Sequence, residues 1–168
     1  MRNLEILDVV LERMQLKHLD RVMEIEALAY QTPWSRRAFQ SEITENSYAH
    51  YFVVRFKGEI VGYVGMWVIL EEAHITNIAI HPDYRRRGIA RFVLESMFEK
   101  AKELGSTKMT LEVRVSNEGA IRLYRSLGFV DRGIRKGYYT DTHEDAIIMW
   151  KDDLGPMKPR DQQVKWMV

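Results

Sequence analysis

The 168-residue sequence predicts an α/β domain in which helices flank a mixed, mostly antiparallel sheet. Three observations carry this. β-rich and amphipathic segments follow one another in the order β-α-α-β-β-β-α-β-α-β-β. Two pairs of β-rich runs are joined by short polar turns, which is how antiparallel hairpins read. One strand–helix–strand stretch, residues 73–115, requires a crossover and so places a parallel strand pair inside that sheet.

The elements follow in order. Residues 5–14 (EILDVVLERM) are apolar enough for a first strand. Leu19, Val22, Ile25 and Leu28 recur at three-residue spacing, with Met23 beside them, and predict a helix. Pro33 breaks the chain, and Ser35 is placed as N-cap of a second helix reaching about Thr44. YAHYFVVRF and IVGYVGMWVIL flank the turn KGE as a hairpin, and EEAHITNIAI is a third strand ending at His81-Pro82. After Gly88 a long helix carries Ile89, Phe92, Val93, Met97, Ala101 and Leu104 on one stripe, with Gly105 as its stop. STKMTLEVRV is the next strand. Asn117 opens a short helix with Ala120, Ile121, Tyr124 and Leu127, closed by Gly128. FVDRGIRKGYY and EDAIIMW form a final strand pair around the polar loop TDTH. Residues 1–151 make one domain on this reading. Residues 152–168 are a polar extension and are read as a loose appendage, with docking through Trp166 as the alternative.

Composition narrows the function. With 46% hydrophobic and 29% charged residues, the chain fits an ordinary soluble globular protein. Lys+Arg 25 against Asp+Glu 24 leaves a formal charge of +1, so direct nucleic-acid binding is not expected. The absence of cysteine excludes disulfides, thiolate metal sites and a cysteine nucleophile. The five histidines fall in no metal-ligand spacing, and no metal is expected. MRNLEILDVV has no apolar segment of secretory length, and no stretch nears about 20 apolar residues. A cytoplasmic protein without a membrane partner is the expectation.

Against this neutral background Arg85, Arg86 and Arg87 stand directly before Gly88 and the long helix. A helix start already carries about half a positive charge, so cations there are mutually unfavourable unless an anion joins them. A strand end, a short loop and a helix N-terminus with converging N–H groups make a ready anion site, and Gly88 lets the backbone approach a phosphate. A solvated basic turn is the plainer alternative. The GxxxxGK[ST] and GxGxxG phosphate motifs are both absent.

RRRGIA at 85–90 resembles the [QR]-x-x-G-x-[GA] signature of the GNAT N-acetyltransferases. NIAIHPDYRRRGIA, LEVRVSNEGAIRLYRSLGF and the ending GYY…EDAIIMW are together similar to the ribosomal-protein-alanine N-acetyltransferases, over about residues 4–151. Two departures occur, Arg85 where near relatives often have Gln and Ala90 for a third glycine; the family pattern allows both. The resemblance implies a splayed parallel strand pair at an acetyl-coenzyme A site. It also implies transfer of acetyl to the N-terminal α-amine of a protein, with an alanine on a small-subunit ribosomal protein as the foremost acceptor. It assigns backbone contacts to Ile78, Ala79 and Ile80, the Ile80 amide facing the thioester oxygen, and wraps the diphosphate with Arg85, Arg86, Arg87, Gly88, Ile89, Ala90 and Arg91. Asn117 bonds the cofactor. Glu112 matches the general base and Tyr124 the general acid. Trp34, Tyr138 and Tyr139 flank the acceptor groove.

Read from the residues alone, several of these stay open. Alternation in LEVRV puts Glu112 and Arg114 on one face, where they could simply pair. Tyr124 shares a stripe with Ile121 and Leu127 and fits a core aromatic. Asn117 fits a plain N-cap, and Tyr138 and Tyr139 fit strand packing. An N-terminal acetyltransferase of broader acceptor range, one acting on lysine or a small amine, or a silent acyl-coenzyme A-binding module are the alternative functions.

Overall fold

A computed structural model describes residues 8–159 and 166–167. Its strands are β1 Val9–Arg13, β2 Ala49–Phe56, β3 Glu59–Ile69, β4 Glu72–Ile80, β5 Lys108–Arg114, β6 Val130–Tyr139, β7 Glu144–Lys151 and β8 Trp166–Met167. The helices are α1 Leu19–Ala29, α2 Arg36–Thr44, α3 Ile89–Glu103 and α4 Glu118–Ser126. The part of the expected first strand at residues 5–7 lies outside the described residues. One sheet runs in the order β6-β7-β5-β4-β3-β2-β1-β8, parallel only at β4–β5 and β1–β8.

Strand alternation divides the core between the two faces of this sheet. Tyr51, Val53 and Tyr63 join Leu19, Val22, Ile25 and Phe39 on the α1–α2 face. Phe52, Val54, Phe56 and Val64 join Val93, Met97, Ile121 and Phe129 on the α3–α4 face. α1 departs from the sequence pattern in one instructive way. Leu28 is exposed, whereas Glu26 is 2% exposed. At 3.6 residues per turn, nine residues carry Leu28 to the far side of the helix from Leu19, while seven bring Glu26 back beneath it.

Ser35 accepts from the Ala38 N–H at the start of α2, and Asn117 accepts from the Ala120 N–H at the start of α4, each cap worth about 1 kcal/mol. The described part of the extension is not the loose appendage expected, because apolar and hydrogen-bonding partners hold it past Lys151. Leu154 is buried, the Lys158 N–H donates to Glu99, and Lys102 pairs with Glu99 and reaches the Pro156 carbonyl. Trp166 stacks edge-on against Phe52 at 4.8 Å, with Lys100 over its ring. Among the described residues no helix is long and apolar enough to cross a membrane.

Two irregularities in β4 position the site. Gly65 of β3 lies opposite Asn77 and Met66 opposite Ile75, so Thr76 is an extra residue, a β-bulge. The parallel ladder with β5 covers only Glu72↔Lys108, Ala73↔Met109 and His74↔Thr110. Beyond it the strands part.

Gly65 fits the bulge because a Cβ there would stand 2.3 Å from the Tyr51 ring and 2.6 Å from Asn77 Oδ1. Gly65→Ala is expected to cost about 1–3 kcal/mol by overpacking, lowering the melting temperature by about 2–4 °C per kcal/mol. Thermal unfolding of the variant checks this; an unchanged midpoint would mean that the bulge is not packed as described.

Candidate active site

Where β4 and β5 part, a cavity of about 540 Å³ opens. Glu26, Tyr30 and Trp34 line it from the α1–α2 face, and Asn117 and Tyr124 from α4 on the other. It therefore passes through the sheet, and two molecules can meet in it from opposite faces.

Backbone parity decides which groups of β4 point into the gap. The His81 N–H donates to the Val61 carbonyl, so residues 81 and 79 bond toward β3 and residues 78 and 80 toward the splay. Tyr30 donates its hydroxyl to the Ile78 carbonyl at 2.6 Å, and Arg85 Nε donates to the Ile80 carbonyl at 3.2 Å. The N–H groups of Ile78 and Ile80 share that edge. Ala79 does not: its backbone faces β3 and its side chain is buried.

Glu112 and Tyr124 both line the cavity. The pairing of Glu112 with Arg114 that alternation allowed does not form. Arg114 is bound by Asp141 at 2.8 Å and Glu144 at 3.6 Å and stacks 4.0 Å from the Tyr139 ring centroid. Glu112 is instead hydrogen-bonded to His74 Nε2 at 2.6 Å. That histidine is backed edge-on by Trp67, whose indole N–H is held by Glu42. Sequence reasoning missed His74, because its bond to Glu112 joins two strands 38 residues apart in sequence. Tyr124 is 8% exposed and packs against Phe129. Burial pushes its phenol up to about 12, so it remains protonated at any working pH.

Of the aromatic candidates, Trp34 and Tyr139 line the cavity and Tyr138 stays outside, stacked on Tyr139 and under Arg135. Thr32, in the α1–α2 loop, donates to Asp141 in the β6–β7 loop at 3.0 Å, tying the two loops together across the acceptor side. The Arg114 guanidinium beside Asp141 holds that carboxyl well below the usual carboxylate range, at about 2.

The arginine loop lies at the end of β4, outside the cavity itself. Arg86 and Gly88 both take left-handed backbone, at φ 62 and φ 79. Alternating backbone of this kind turns successive N–H groups into one concavity. Gly88 is the N-cap of α3 and supplies no side-chain cap, so the N–H groups of Ile89, Ala90 and Arg91 point outward from the first turn. Two of the arginine side chains turn sideways: Arg85 to Ile80, and Arg87 over the Tyr84 and Phe56 rings. Arg91 is hydrogen-bonded to Ser126. Exposed Arg86 and the free N–H groups of the first turn are what the helix start presents to solvent.

The family model for the acetyltransferase (GNAT) family matches residues 19–129. The chain belongs to the GNAT acetyltransferases. A Bacillus subtilis relative is 46% identical over 137 residues, covering 82% of this chain and 91% of its own. The Escherichia coli [ribosomal protein bS18]-alanine N-acetyltransferase is 41% identical over 133 residues, covering 78% of this chain and 88% of its own. The crystal structure of the E. coli ribosomal-protein-S18-alanine N-acetyltransferase superposes with a TM-score of 0.79 at 34% identity, over 90% of this chain and 97% of that one. The single domain with its parallel β4–β5 pair is thus the family fold, as the sequence predicted.

Glu26 stands apart from the family motif. Its Oε1 accepts from the Trp34 N–H at 2.9 Å, and its Oε2 is buried without a hydrogen-bond partner among the described residues. Burial raises its carboxyl to about 6 from 4.5. Because the folded value is the higher one, the associated stability is full below about 4.5 and is lost as pH rises through about 6. The difference amounts to about 2 kcal/mol. Glu26→Gln should therefore gain stability over the parent at pH 8 and not at pH 4.5, measured by denaturant unfolding. A gain independent of pH would show that the carboxylate carries no burial cost.

Proposed function

We propose that this chain transfers acetyl from acetyl-coenzyme A to the free α-amine at a protein N-terminus, acting in the cytoplasm on the N-terminal alanine of the small-subunit ribosomal protein bS18. The observation that carries the reading is the cavity through the sheet, which the held carboxylate of Glu112 and the buried phenol of Tyr124 both line at the parting of β4 and β5. The acceptor is supported by the printed activity of the E. coli relative.

The residues present fit an acyl-coenzyme A. The diphosphate is matched by the N–H groups of residues 86–91, with Gly88 allowing close approach. The pantetheine arm is matched by the edge of β4, where the Ile78 and Ile80 amides point outward. Asn117 spends only its Oδ1 on the helix cap, which leaves its NH₂ chemistry for a ligand.

The acceptor enters from the α1–α2 side, between Trp34 and Tyr139. An α-amine has a pKa near 7.7–8.0, so part of it arrives protonated and needs a base. Glu112 receives that proton, and His74 holds the carboxylate in place. The Ile80 N–H stabilises the oxygen on which negative charge develops. Tyr124 donates to the departing sulfur. A phenol near 12 gives up its proton only uphill to a thiolate whose conjugate thiol has a pKa of about 8.5, so its first contribution is a strong hydrogen bond to the developing thiolate. Without cysteine in the chain, transfer is direct between the two substrates.

Initial rates of coenzyme A release with an alanine-started peptide, its amine free or blocked, test the reading. Turnover of the free peptide alone is expected. Equal turnover of a blocked, lysine-containing peptide would overturn the α-amine assignment. Glu112→Gln and Tyr124→Phe should each lower kcat about 100-fold or more while leaving acetyl-coenzyme A affinity within a few fold. His74→Ala should lower kcat by less than Glu112→Gln does, and His74→Gln, which keeps an N–H donor, should recover part of it. Gly88→Glu, which adds bulk and negative charge, is expected to abolish acetyl-coenzyme A binding in calorimetry, and undiminished affinity would rule out the loop as the diphosphate site.

A further inference from the structure

The cavity wall holds two polar groups that the reaction above does not use. One is Glu26 Oε2, buried and lacking a hydrogen-bond partner among the described residues. The other is Asn77 Nδ2, likewise buried and without a partner among them, whose Oδ1 is occupied by the Thr76 hydroxyl at 3.2 Å. Both residues line the cavity. They also lie on the same, α1–α2 face of the sheet. Tyr30 lies one turn beyond Glu26 and bonds the carbonyl of Ile78, the residue after Asn77.

Buried polar groups are satisfied in the great majority of native structures, so a spare acceptor and a spare donor in one cavity wall are informative. A free peptide N-terminus is the complement of that pair. Its ammonium offers three donors, and its first carbonyl, two bonds away, offers an acceptor. A lysine side chain presents the ammonium without the adjoining carbonyl. The charge of the surroundings agrees: Arg114, the cation beside the acceptor side, is already neutralised by Asp141 and Glu144.

We propose that Glu26 and Asn77 together recognise the first residue of the acceptor, the Glu26 carboxylate taking its ammonium and the Asn77 amide its first carbonyl. Both are specificity residues for the reaction proposed above, on which this inference rests. An ammonium held by Glu26 through one N–H keeps the others, one of which passes to Glu112 when the amine becomes the nucleophile. The Trp34 N–H on Glu26 Oε1 fixes the carboxylate so that Oε2 is the oxygen presented.

Glu26→Gln distinguishes charge from scaffolding, because glutamine keeps an oxygen for the Trp34 N–H and puts a donor where the ammonium would lie. The KM for an alanine-started peptide should rise at least tenfold, about 1.4 kcal/mol, with kcat within about threefold and the KM for acetyl-coenzyme A unchanged. A competitive inhibitor of the same sequence with propionyl in place of alanyl lacks the cation, and its Ki should be the same for parent and variant. Asn77→Ala should raise the peptide KM and the Ki of the propionyl peptide together, because both ligands carry the first carbonyl. A peptide KM within twofold of the parent in Glu26→Gln would overturn the proposal. So would a Ki for the propionyl peptide that rises in step with KM in that variant, since the pocket would then have been deformed. If the parent itself fails to turn over the peptide, the α-amine reading falls and takes this inference with it.

Discussion

Everything chemical in this protein depends on where the β4–β5 ladder stops. Parallel strands normally keep bonding for their full length, and here they do so for three residue pairs before the bulge at Thr76 and the divergence that follows. The strand edges left beyond that point are backbone donors and acceptors in search of partners, which a buried sheet interior does not tolerate. The molecule meets part of the demand itself, through Tyr30 on Ile78 and Arg85 on Ile80. The rest is available to an extended, amide-bearing ligand, and the pantetheine arm of coenzyme A is one.

The same opening explains the division of the site by face. α3 and α4 pack against one side of the sheet, bringing an uncapped helix start and Tyr124. α1 and α2 pack against the other, bringing Glu26, Tyr30 and Trp34. Glu112 sits on the strand between, so it can serve the amine from one side while the acyl group comes from the other. His74 reaches it only because both residues lie at the fork, His74 on the last bonded pair of β4 and Glu112 two residues past the last bonded pair of β5. Of the arginines before α3, which the helix charge should repel, Arg85 lies against the Ile80 carbonyl and Arg87 against the Tyr84 ring.

What could be read in the sequence was whatever depends on local pattern. The order of strands and helices, the caps at Ser35 and Asn117, the parity of LEVRV and the glycine loop at 85–90 are all properties of neighbouring residues. His74 and Glu26 were not legible for the opposite reason. His74 acquires its role through a strand 38 residues away in sequence. A three-residue spacing put Leu28 on the buried stripe and passed over Glu26, whereas the true helical period turns Leu28 out and Glu26 in. The positions 22, 25, 26 and 29 hold the 3.6-residue pattern, and a glutamate among them was the available signal. Asn77 needed the bulge at Thr76 to be known before its side chain could be placed.

The most direct measurement is a crystal structure with coenzyme A joined through an acetyl linker to the N-terminal nitrogen of an alanine-started peptide. The account requires the diphosphate on the N–H groups of residues 86–91, the linker carbonyl at the β4 edge near Ile80, and the peptide leaving the cavity between Trp34 and Tyr139. A diphosphate bound away from the start of α3, or a peptide that left the cavity without passing between the α1–α2 and β6–β7 loops, would contradict it.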